Sequence, residues 1–129
     1  MKAQETIRFT YLYRDAGNSK AWGEIVFSNP ETLSSIDLNI RLRRAFDMGC
    51  LFVADQIQIP EVFLYTNGEV IAEDHCFHEF HSIELSNDKP TDENGRSIKS
   101  FVEQVEKESQ QGWHAFNPID RPLDKKRSI

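Results

Sequence analysis

Thr6-Ile7-Arg8-Phe9-Thr10-Tyr11-Leu12-Tyr13 is the stretch that decides how the rest of this chain is read. Ile7, Phe9, Tyr11 and Tyr13 fall on one face, and Thr6, Arg8, Thr10 and Leu12 on the other. A period of two is that of a β-strand with one buried side. Residues 14–20, Arg-Asp-Ala-Gly-Asn-Ser-Lys, are small and polar and read as a turn. Residues 22–27 then alternate again, Gly23, Ile25 and Phe27 against Trp22, Glu24 and Val26, so the N-terminal quarter reads as a hairpin with a longer loop than the tight two-residue kind.

Working outward, Ser28-Asn29-Pro30-Glu31 is the clearest punctuation in the chain. Asn29 suits a helix cap and Pro30 a first turn, where a missing N–H costs nothing. Were Ser28 the cap instead, Glu31 would complete a capping box. The pattern predicts a helix over residues 30–48, stopped at Gly49, whose apolar residues cover more than a narrow stripe. That breadth is expected of a helix lying on a sheet with further contacts at its flanks. Beyond it, residues 61–65 and 76–85 are strand candidates, and Asn67-Gly68 is a tight-turn signal that makes 69–72 a short returning strand. Residues 86–96 hold no apolar residue except Pro90 and read as a mobile surface loop. Ile98, Phe101, Val102 and Val105 then mark the buried face of a second helix with Gly112 as its C-cap.

This order predicts an α+β fold: a two-layer arrangement of an antiparallel or mixed sheet of four to five strands with two helices packed on one face. With 129 residues, the chain has the length of one domain, expected over 1–116, with 117–129 as a flexible C-terminal tail. A domain of this size buries enough surface to fold without metal or disulfide. The two cysteines, Cys50 and Cys76, have apolar neighbours and read as buried free thiols in a reducing compartment. The N-terminus lacks the apolar run of a signal peptide, and no stretch approaches the roughly 20 apolar residues of a membrane span, so a cytoplasmic protein without a membrane partner is expected.

Lys and Arg total 15 against 21 Asp and Glu, a formal charge of -6, which argues against general affinity for nucleic acid. Ten acids against the single base Lys89 fall within residues 50–93, while Arg41, Arg43 and Arg44 make a basic cluster on the first predicted helix. An acidic block and a separate basic face suit docking to another protein or to a second copy. Arg41, Arg43, Arg44 and Arg14 are the interaction candidates, and a binding module without enzymatic activity or cofactor is the function this polarity favours.

The alternative is a small metal-dependent or acid–base enzyme centred on residues 75–81, His-Cys-Phe-His-Glu-Phe-His. His78 or His81 would act as base with Glu79 to orient it, because imidazole titrates near working pH. A metal would take His75, His78, His81 and His114, since zinc wants about four such ligands. Spacing argues against this. On a strand His75, Glu79 and His81 share one face and His78 the other, unless His75 lies in the preceding turn or a bulge intervenes. There is no HExxH and no CxxC.

Tyr11-Leu12-Tyr13-Arg14-Asp15-Ala16, then residues 23–30 (Gly-Glu-Ile-Val-Phe-Ser-Asn-Pro) and His78-Glu79-Phe80, resemble a family of small uncharacterised bacterial proteins. The resemblance runs over about the first two-thirds of the chain. It implies a compact bacterial domain and brings no activity with it.

Overall fold

β1 (Thr6–Arg14), β2 (Lys20–Ser28), α1 (Ser35–Ala45), β3 (Leu51–Phe52), β4 (His78–Ser86) and α2 (Ile98–Gln111) follow one another in a computed structural model that describes residues 5–64 and 75–120. The strands form one four-stranded sheet in the order β2-β1-β4-β3, and every pairing is antiparallel. The expected α+β class is therefore observed, with the antiparallel form of the sheet.

The period of two in β1 has its predicted consequence. Ile7, Phe9, Tyr11 and Tyr13 are at most 1% exposed. Phe9 sits at the middle, stacked on Phe80 of β4 at 5.4 Å and edge-on to Phe101 of α2 at 5.1 Å. α2 contributes Ile98, Phe101, Val102 and Val105, all fully buried, while α1 contributes Leu38, Leu42 and Ala45 to the same cluster. Each of the larger of these side chains, the Leu, Ile, Val and Phe, stabilises the fold by about 1.5–3 kcal/mol through burial alone. Gly23 in β2 lies opposite Tyr11, and a Cβ there would stand 2.7 Å from Tyr11 Cζ. The absence of a side chain on β2 is what lets the Tyr11 ring lie flat across it and donate to Pro60 O at 2.6 Å.

Several elements depart from the sequence expectations. α1 begins at Ser35, with Ser34 as cap accepting from Asp37 N–H, rather than at Pro30. Asn29 is buried and closes a separate turn, its Oδ1 accepting from Leu33 N–H and its Nδ2 donating to Leu33 O and Glu5 Oε1. Thr32 sits in the left-handed region at φ 51°, which a continuous helix from Pro30 would forbid.

Residues 86–96, expected as a mobile surface loop, are docked instead. Thr91 exchanges two hydrogen bonds with the backbone of Val26, and Arg96 donates to Ile57 O, Gln58 O, Gln104 Oε1 and Asp92. Polar groups, not apolar ones, hold this segment, so hydrophobic patterning does not register it.

β4 carries a bulge: Thr10 pairs with Ser82 but Tyr11 with Phe80, leaving His81 as the extra residue. Residues 61–64 form no strand, and the rest of that candidate, the Asn67-Gly68 turn and the returning strand 69–72 lie outside the described residues. Of the expected tail, Pro118–Asp120 forms a 3₁₀ turn with Pro118 buried, and 121–129 lie outside the described residues.

Candidate functional site

The histidines are dispersed by the alternation of the strand and by the start of β4. His78 lies on the core face, fully buried among Phe63, Tyr13 and Tyr11 with ring centroids at 4.7, 5.6 and 6.0 Å. Its Nε2 accepts from Val62 N–H at 2.9 Å, which puts the ring proton on Nδ1. His81 is exposed on the opposite face, edge-on to Trp22 at 4.9 Å. His75 precedes the strand and packs on Tyr13 at 4.9 Å. Both of its ring nitrogens are engaged, Nδ1 accepting from Phe77 N–H and Nε2 lying 2.8 Å from Arg14 O. His114 is exposed, and its N–H donates to Gln56 Oε1. Among the described residues no three His, Cys, Asp or Glu side chains come together as a metal-holding group.

A recess of about 330 Å³ opens beside this cluster, lined by Arg14, Leu51, His75, Phe77 and Glu79. Arg14 grips both Glu79 oxygens, Nε to Oε1 at 3.2 Å and Nη2 to Oε2 at 3.1 Å. Glu79 therefore faces a guanidinium and not an imidazole. Hydrogen bonding to Glu79 raises the Arg14 pKa despite some desolvation, so the guanidinium stays charged. Nearby Cys50 has its thiol pushed up, first by burial and then by the Glu79 charge, with Arg43 and Arg14 opposing, which disfavours the thiolate a nucleophile needs. The recess thus holds a neutralised ion pair, an engaged imidazole and apolar walls.

The four arginine candidates fare differently. Arg14 is held by Glu79. Arg41 makes a bidentate pair with Glu106 of α2, 2.9 and 2.6 Å, and clips the two helices together. Arg43 lies over the Phe80 ring at 4.8 Å and donates to Gly49 O. Arg44 is exposed and makes no ion pair with a described residue.

What the sequence reading missed lies beside Arg44. Ile36 and Ile40, two of the apolar residues whose breadth predicted contacts at the flanks of the helix, are 72% and 44% exposed, and Met48 just past the helix is 84% exposed. At 100° per residue Leu38, Leu42 and Ala45 point one way, and Ile36 and Ile40 the other. Two opposed apolar sets on one helix were the available signal. No helix among the described residues is long and apolar enough to cross a membrane. Comparison with protein-family models, with curated proteins and with solved structures yields no match.

Proposed function

We infer that the chain is a protein-binding module without enzymatic activity of its own, and that α1 presents the binding surface. The observation that carries this reading is the outward stripe of Ile36 and Ile40, directed away from the buried side of α1. Exposed aliphatic side chains one helical turn apart are the anchors by which helices and grooves recognise one another. Arg43 and Arg44 flank the stripe, so the fitting partner is a protein surface with an apolar centre and an acidic rim. The enzyme alternative finds less support, because His78, Glu79 and His81 face three different environments.

The test compares tagged wild-type chain with an Ile36→Glu/Ile40→Glu variant in capture experiments on extracts of the native cell. Both positions are exposed, so the variant should keep its far-UV circular dichroism and thermal midpoint. A partner captured by the wild type and lost on the folded variant is the expected result. Identical partner profiles from both would overturn the assignment to α1.

A further inference from the structure

We propose that the chain self-associates edge to edge through the outer half of β2, two copies pairing antiparallel about Trp22. β2 is the edge strand beside β1. Its residues alternate between pointing backbone groups inward to β1 and outward to the free edge. Val26 marks the outward set, since its N–H donates to Thr91 Oγ1 and its carbonyl accepts from Thr91 N–H. Ser28 belongs to the same set and is bridged to Ser97. The outward set continues with Glu24, Trp22 and Lys20, and among the described residues no backbone group pairs with these three. Among the described residues the edge is thus covered over its inner half and open over its outer half.

The open half reads Lys20-Ala21-Trp22-Gly23-Glu24. Antiparallel pairing of this segment with itself about Trp22 puts Lys20 directly opposite Glu24 of the second copy, and Glu24 opposite its Lys20. Both charges project on the same face of the joined sheet, because they are four residues apart on one strand. Glu24 also pairs with Arg8 of its own chain, Nε to Oε2 at 3.3 Å, and with its side chain 58% exposed it is still open to Lys20 of the second copy. Trp22, 53% exposed, stands opposite its own copy. Each of the three pairs places outward N–H and C=O groups against their counterparts, so the ladder is completed at Lys20, Trp22 and Glu24 together. Parallel pairing, or a shift of two residues, sets like charges opposite each other or leaves them unpaired. The covered part begins at Val26, so the pairing ends where Thr91 takes over. An uncovered edge is a template for a further strand, and here its side chains specify one register. The inference goes beyond α1 binding and uses no residue of α1; the Ile36→Glu/Ile40→Glu variant should retain it.

The experiment is sedimentation equilibrium of the purified chain over a concentration series. Wild type should rise from monomer to dimer mass and stop there, since the pairing is closed by two-fold symmetry. Lys20→Glu sets acid opposite acid in both outer pairs, and Glu24→Lys sets base opposite base, so each alone should weaken association by about tenfold or more. Mixed one to one, the acidic edge of the first variant meets the basic edge of the second. Both outer pairs are then again of opposite charge, and dimerisation should return as heterodimer. Amide exchange on the wild type provides a reading independent of any variant. The amides of Lys20, Trp22 and Glu24 should slow with concentration, while those of Ala21 and Gly23, which face β1, should stay slow throughout. A wild type that remains monomeric, exchange at these three amides that ignores concentration, or a mixture no more associated than its components would each overturn the proposal.

Discussion

Arg96 donates to both carboxylate oxygens of Asp92, Nη2 to Oδ1 at 2.8 Å and Nε to Oδ2 at 2.9 Å, in a pair whose side chains are only 10% and 3% exposed. The same guanidinium lies over the Phe101 ring at 5.1 Å and donates to the carbonyls of Ile57 and Gln58. One side chain therefore ties the 86–96 segment to α2 and to the chain after β3.

Removing the carboxylate charge leaves Arg96 buried without its partner, and Asp92→Asn should cost about 3 kcal/mol in urea unfolding at pH 7. Burial on its own would raise the Asp92 carboxyl, but hydrogen bonds from the Arg96 side chain and backbone, together with its charge, outweigh this and hold the pKa below the ordinary value. A depressed folded-state pKa contributes stability above the unfolded value of about 3.9, and that contribution is lost as the pH falls through the folded value. The gap between wild type and Asp92→Asn should accordingly narrow in acid. An equal gap at pH 7 and pH 3 would show that the pair does not act through its charge.

Gly23→Ala is a small change with a specific obstacle. The added Cβ meets a Tyr11 ring that is 1% exposed and tied to Pro60 O, so the ring cannot swing aside. Overpacking of this kind costs about 1–3 kcal/mol. Tyr11→Leu should lower that cost in a double-mutant cycle, and strict additivity of the two substitutions would remove the steric explanation.

Phe101→Ala should cost about 3–5 kcal/mol, because the ring is fully buried and meets Phe27 at 4.5 Å, Phe9 at 5.1 Å and the Arg96 guanidinium. Chemical denaturation measures it. A loss under about 1 kcal/mol would mean that the site collapses around the hole, against the rigidity of interlocked aromatic neighbours.

Elemental analysis of the purified chain should find no stoichiometric transition metal, and a chelator should leave the thermal midpoint unchanged. The reason is positional: His78 faces the core and His81 the opposite side of the sheet, so no single ion can take both. About one zinc per chain, lost on His78→Gln/His81→Gln, would bring the enzyme reading back to the front.

Periodicity made β1, β2, β4 and the buried face of α2 legible, because a side chain's place on a regular backbone follows from its spacing alone. The same local rules put the start of α1 at Pro30, five residues too early. Asn29, Pro30 and Glu31 all suit a helix, and the choice fell to a long-range contact, the Asn29 amide meeting Glu5 beside β1. Parity alone put His78 and His81 on opposite faces, whereas the place of His75 depended on where β4 begins, and the faces beyond His81 on a bulge set by the strand across from it.

By itself the sequence determined that apolar residues would gather on one side of each strand and of α2, for that is a matter of spacing and of water. Only the tertiary structure decided which polar groups became fixtures, which aliphatic residues of α1 stayed outside, and which edge of the sheet was left open. Arg96 is a surface residue on any local criterion until Asp92, Ile57 and Gln104 converge on it, and Ile36 is a core residue until Leu38 and Leu42 claim the buried side of α1. Burial depends on what arrives from elsewhere in the chain, and that information is not local.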